Sequence, residues 1–98
     1  MVMIYYVYIL KCSDDTYYTG ITSELWKRLE KHESGEYFGS YTSTRLPVSL
    51  EYYCSFANVE QAIETEKRIK KWSQAKKKAL IDGEYHKLPN LAKKKFKT

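Results

Sequence analysis

The stretch IYYVYILKCSDDTYYTGI, residues 4–21, decides the fold. Its first part, Ile4 to Lys11, is β-branched and aromatic at odd and even positions alike, so it reads as a central strand covered on both faces. Cys12-Ser13-Asp14-Asp15-Thr16 is turn chemistry. Tyr17 to Ile21 reads as the returning strand of a hairpin. Loop parity then sets the register. With an odd loop of three or five residues, paired positions sum to 28, so that Tyr8 faces Gly20 and Tyr18 faces Leu10. Both tyrosines then project from one face as diagonal neighbours. A two-residue loop at Asp14-Asp15 sends them to opposite faces. A site shared by the two phenols therefore requires the odd loop. Gly20 reads either as a close-approach point for a ligand or as a strand end.

Beyond the hairpin, Thr22 or Ser23 is placed to cap a helix running to about Ser34, with Leu25, Leu29 and His32 as its buried stripe and Gly35 as its stop. Glu36 to Pro47 is a polar loop holding Tyr37, Phe38, Tyr41 and Arg45. Val48 to Phe56 reads as a third strand, able to pair either way. Asn58, with Gln61 three residues on, makes a capping-box pattern for a helix to about Trp72. Ser73 caps a short helix, Gln74 to Ile81, ending at Asp82-Gly83. The expected fold is a small α/β sandwich: a three-stranded, mainly antiparallel sheet flanked by helices, in the order β-β-α-β-α-α. Residues 1–83 form the domain and 84–98 a basic tail, with Leu88 or Leu91 docking.

The chain has 98 residues, 43% of them apolar and 30% charged, which suits one globular domain with one modest core. No apolar run reaches the ~20 residues that span a bilayer, so no membrane role is expected. The apolar start, Met1 to Tyr8, lacks a basic n-region and reads as a strand instead of a signal peptide. Cys12 and Cys54 are the only cysteines. Two distant thiols without a secretion signal point to a reducing, cytoplasmic setting, and their spacing does not suit zinc. Charge is uneven. Residues 1–60 carry 5 basic and 8 acidic residues, a net −3, whereas residues 61–98 carry 12 and 4, a net +8. Such a basic segment suits nucleic-acid phosphate as well as an ordinary solvated helix.

Several residues stand out against this frame. Glu66 falls inside the apolar stripe Val59, Ala62, Ile63, Ile69 and Trp72. A carboxylate there is costly unless it is paired or holds a cation. It reads either as a stripe-edge salt bridge or as a metal ligand. One carboxylate suits Mg²⁺, which keeps most of its waters and adds phosphate oxygens. Arg28 and His32 are four apart and neighbour each other on the first helix. Arg28 reads as a solvated charge or as a fork onto phosphate oxygens. His32 reads as a packed core histidine or a proton carrier.

Together these residues resemble the GIY-YIG nuclease superfamily, in particular its small stand-alone bacterial proteins, over roughly residues 4 to 82. Tyr6-Val7-Tyr8 stands where GIY would be, and Tyr18-Thr19-Gly20 where YIG would be. Arg28 matches the family's helix arginine, His32 a position held by His or Tyr, and Glu66 the metal-binding glutamate. The runs Thr44-Arg45-Leu46-Pro47-Val48 and Lys71-Trp72-Ser73 look like the small proteins too. Tyr6 replaces the glycine of GIY and Thr19 the isoleucine of YIG, both at structural positions. Many relatives carry an asparagine after the glutamate helix. Lys76 to Asp82 offers no equivalent, and Asn90 lies too far along.

The resemblance implies a GIY-YIG endonuclease-like fold and hydrolysis of a DNA phosphodiester, in repair or recombination, leaving a 5′-phosphate and a 3′-hydroxyl. Glu66 would hold one Mg²⁺ or Mn²⁺ against the scissile phosphate. Arg28 would neutralise transition-state charge. Tyr8, or alternatively Tyr18, would be the general base, and His32 would orient or relay the proton. A free tyrosine, with pKa near ~10, needs cationic neighbours for that task. DNA, branched or single-stranded included, would be held by Arg28 and Arg45 and by Lys70, Lys71, Lys76 and Lys77 of the Lys-rich segment Lys67 to Lys97. Two other readings compete: a nucleic-acid-binding module with this fold and little activity, and a protein-interaction domain using its aromatic surface.

Overall fold

The structure, a computed structural model, describes residues 3–35 and 41–88, without the side chain of Lys87. Tyr37, Phe38, Asn90, Leu91 and the tail beyond Leu88 lie outside the described residues. The elements run β1 (Tyr5–Lys11), β2 (Tyr17–Thr22), α1 (Leu25–Ser34), β3 (Ser49–Phe56), α2 (Val59–Lys70) and α3 (Gln74–Ile81), followed by a 3₁₀ turn at Tyr85–Lys87.

The sheet order is β2-β1-β3 and both pairings are antiparallel. β1 is central, which is why it is apolar on both faces. The hairpin has the odd register: Tyr8 pairs with Gly20 and Leu10 with Tyr18. The five-residue turn closes through Cys12 N–H to the Thr16 carbonyl at 2.9 Å. Asp15 takes a left-handed φ of 64°, a conformation that Asp tolerates better than most residues. Between β1 and β3 the register shifts after Ile9, so that Ile9 pairs with Tyr52 but Leu10 with Leu50, a β-bulge at Glu51.

Two apolar layers follow from strand alternation. Val7 and Ile9 pack under Ala62 and Ile69 of α2 and Leu80 of α3. Tyr8 and Leu10 pack with Cys12, Leu25 of α1 and Val48 on the opposite face. Each fully buried Val, Ile or Leu contributes roughly 1.5–3 kcal/mol, so these layers hold the sheet between the helices. Leu88 packs against the first layer, so the chain beyond Gly83 begins docked, as expected for one of the two tail leucines.

The caps are local and mostly as expected. Asn58 Oδ1 accepts from Gln61 N–H at 3.0 Å and Ser73 Oγ from Lys76 N–H at 3.1 Å. Gly35 stops α1 with a φ of 75°. α1 departs from expectation: it starts at Leu25 with Glu24 in the cap position and no side-chain cap bond. The Thr22 hydroxyl instead accepts from Glu24 N–H at 3.0 Å, turning the chain before the helix. α2 ends at Lys70, short of Trp72, because the N–H groups of Lys71 and Trp72 bond three residues back. β3 starts at Ser49, leaving Val48 as a buried core residue.

Candidate active site

The tyrosine of β1 sits over the glycine of β2. Any Cβ at residue 20 would overlap the Tyr8 phenol. Gly20 is therefore a close-approach point, but for the chain's own ring and not directly for a ligand. Seated there, Tyr8 is only 1% exposed and its hydroxyl lies 2.9 Å from His32 Nε2. His32 arrives from the buried stripe of α1. Its other nitrogen, Nδ1, lies 2.9 Å from the Thr42 hydroxyl. A neutral imidazole has one donor and one acceptor nitrogen. The phenol is the more acidic of the two hydroxyls, so it donates to Nε2 while Nδ1–H donates to Thr42. Burial, and secondarily the charge of Arg28 one turn earlier, push the His32 pKa down to about 4. The imidazole is thus neutral at physiological pH and accepts the Tyr8 O–H hydrogen bond, while burial works against its taking the proton outright.

Tyr18 flanks this chain of hydrogen bonds. Its ring centroid is 5.4 Å from that of His32 and 6.5 Å from that of Tyr8. On its outer side it stacks against Tyr41 at 6.1 Å. Tyr8 is buried, whereas Tyr18 and Arg28 are half-buried. The structure therefore brings Tyr8, Tyr18, Arg28 and His32 together on the α1 face of the hairpin, as the odd register requires.

Glu66 comes from the other side. It lies on α2, which packs against the Val7/Ile9 face, so the edge strand β2 separates its layer from that of the tyrosines. It is buried, and its Oε2 is 3.3 Å from Lys70 Nζ. Lys70 is the link around the edge. It lines a pocket of about 300 Å³ together with Tyr18, Thr19, Tyr41, Gln74 and Lys77.

The residues expected to hold DNA fall into different settings. Lys70 and Lys71 are exposed. The Lys76 ammonium lies 4.1 Å from the centroid of the Trp72 ring. Lys77 is buried at 5% exposure and reaches the Tyr17 carbonyl at 3.4 Å. Burial, then the neighbouring Lys70 charge, lowers its pKa. Arg45 clamps its own loop: Nε donates to Asp14 at 2.9 Å, one terminal nitrogen donates to the Tyr41 carbonyl at 2.8 Å, and the guanidinium covers the Tyr41 ring. Thr42 had no signal in the sequence. A threonine in a polar loop looks like any other, and only the folded loop brings it to His32. Thr19 Oγ1 is buried without a hydrogen-bond partner among the described residues.

Known proteins resemble this chain over most of its length. Residues 4–79 match the family model described as the GIY-YIG catalytic domain. A UPF0213 protein of Syntrophus aciditrophicus is 46% identical over 76 residues, covering 78% of this chain and 87% of the relative. One from Halobacterium salinarum is 42% identical over 77 residues, covering 79% and 99%. The solution NMR structure of a UPF0213 protein from Bacillus halodurans superposes with a TM-score of 0.54 at 39% identity, covering 82% of this chain and 84% of that one.

Proposed function

This chain belongs to the GIY-YIG catalytic-domain family, and from that premise we propose that it is a metal-dependent endonuclease hydrolysing DNA phosphodiester bonds. The observation that carries the proposal is the buried Tyr8–His32–Thr42 chain with Tyr18 and Arg28 beside it. Packing alone does not call for three linked polar groups in a core, where each must be satisfied at some cost. A proton path does.

In this reading Thr42 holds Nδ1–H, so Nε2 faces Tyr8. Tyr8 takes a proton from the attacking water as its own moves towards Nε2, a transfer against the low His32 pKa that the negative phosphate must offset. Arg28 forks onto the phosphate and offsets the charge that develops in the transition state. Tyr18 packs the phenol and imidazole from the open side. Its partial exposure favours a second assignment, in which Tyr18 meets the water and Tyr8 with His32 positions it. Cleavage rates of Tyr8→Phe and Tyr18→Phe separate the two.

Glu66 fits one hard divalent cation whose other ligands are waters and substrate phosphate. Among the described residues there is no cluster of three or more His, Cys, Asp or Glu, so these residues offer no full cage. When bound, Mg²⁺ or Mn²⁺ would supply Lewis-acid stabilisation of the phosphate and the leaving 3′ oxygen. Lys70 must release Glu66 Oε2 for this. The ion pair, and the position of Glu66 beyond the β2 edge, favour the second reading, a nucleic-acid-binding module with little activity.

The test uses nicked, branched and single-stranded DNA with Mn²⁺ or EDTA, and the Glu66→Ala and Arg28→Ala variants. The nuclease reading expects cleavage that is metal-dependent and drops at least ~10²-fold in both variants. Cleavage retained by Glu66→Ala removes the metal assignment. Absence of metal-dependent cleavage on every substrate leaves the binding module. A role in repair or recombination and a cytoplasmic setting belong to the same proposal. Among the described residues no helix is long and apolar enough to cross a membrane.

A further inference from the structure

The pocket at the β2 edge contains a cation without a counter-ion. Lys77 is 5% exposed, and among the described residues its one hydrogen bond is to the Tyr17 carbonyl at 3.4 Å. No carboxylate pairs with it among those residues, and the charge that acts on it is another ammonium, Lys70. An ammonium has three donors, and a buried one is costly unless it is paired. Gln74 is anchored by its Oε1, which accepts Tyr17 N–H at 2.7 Å. Its amide N–H₂ is left as a donor. Thr19, whose buried hydroxyl has no partner among the described residues, also lines the pocket. Donors and positive charge therefore converge here, and among the described residues the Tyr17 carbonyl is the one acceptor for Lys77 and Glu66, on the far side, the one carboxylate for Lys70. Tyr18 is the shared wall: it lines this pocket and packs on His32.

We propose that this pocket is a phosphate subsite, in which Lys77, aided by Lys70 and Gln74, holds a phosphate of the bound strand next to the scissile one. The proposal rests on the nucleic-acid reading above and adds to it a second anchoring point, on the far side of Tyr18 from His32. An anchored neighbouring phosphate fixes the strand along the β2 edge. It also gives the buried ammonium the partner that the fold withholds.

The test is made on the whole protein in EDTA, with side-chain lysine signals followed by NMR. Inorganic phosphate and a short oligonucleotide are added separately, the oligonucleotide with or without a 5′-phosphate. The expected result is a shift of the Lys77 signal with both probes and no shift of Lys31, exposed on α1. Lys77→Met keeps the aliphatic stem. It should weaken oligonucleotide binding about tenfold and lower the salt slope of log K by about one, as for one lost phosphate contact. Equal loss with both oligonucleotides identifies an internal phosphate. Loss only with the 5′-phosphorylated one identifies a terminal phosphate. An unshifted Lys77 signal in the wild-type protein overturns the proposal, whatever the variant does. Because no metal or cleavage enters these measurements, a protein that proves inactive as a nuclease can still show the Lys77 shift, and an active nuclease can lack it.

Discussion

His32 is held neutral by the fold, and this makes its chemistry measurable as stability. Its folded pKa, about 4, lies below the unfolded value near 6.5, chiefly through burial and then through Arg28. The unfolded state therefore binds the proton more readily. The resulting stability is complete above pH ~6.5 and is lost as pH falls towards 4. Between pH 7 and 4.5 the loss from this group is about 2–3 kcal/mol. Urea unfolding at those two pH values should show it, and His32→Gln should flatten the dependence. An equal loss in the variant would assign the effect to carboxylates instead. Gly20 is the other decisive residue. Gly20→Ala places a methyl group where the Tyr8 phenol lies, so the ring must move and its bond to His32 breaks. Cleavage should fall ~10²-fold or more, with about 1–3 kcal/mol of stability lost. A fully active Gly20→Ala protein would show that the seat of Tyr8 does not matter to the reaction.

At the scale of elements, α3 works as a cover for an open sheet edge. β2 is an edge strand, and such edges leave backbone groups unpaired. Gln74 takes the Tyr17 N–H and Lys77 its carbonyl, so two side chains one turn apart on α3 close one residue of the strand. Gln74→Ala should cost about 1 kcal/mol. Amide exchange should quicken at Tyr17 while the β1–β3 amides keep their protection. Unchanged exchange at Tyr17 would mean that the glutamine bond does not hold the edge. The same docking carries Lys77 into the interior, so a structural brace and the proposed phosphate ligand are one side chain.

At the scale of the whole molecule, the charge asymmetry acquires a location. The basic residues after position 60 begin on α2 and α3, and two lysines of these helices, Lys70 and Lys77, reach the β2 edge beside Tyr18. The positive end of the chain thus meets the candidate site through its outer wall. The site is accordingly built on two sides of one strand. Phenols, imidazole and guanidinium come from the α1 face, and the carboxylate with its lysine comes from the α2 face. Any strand of nucleic acid that contacts both must run along the β2 edge.

Local rules made much of this legible. Loop parity and the two-residue period of a strand reduced the placement of Tyr8 and Tyr18 to one condition, an odd loop, because a slip by one residue inverts every side chain, and the five-residue turn meets it. The caps at Asn58 and Ser73, and the stop at Gly35, follow from hydrogen bonds only a few residues long. The stripe of α2 identified Glu66 as misplaced for a mere core position. Packing decided the rest. The bulge between β1 and β3, the meeting of Thr42 with His32, and the burial of Lys77 all depend on which surfaces dock across the fold. Periodicity gives a residue its face but not its neighbours. For the same reason the sequence alone specified the strands, the helices and the condition under which the two tyrosines share a face, while it took tertiary packing to decide that the condition is met and that Glu66 lies on the other face of the sheet.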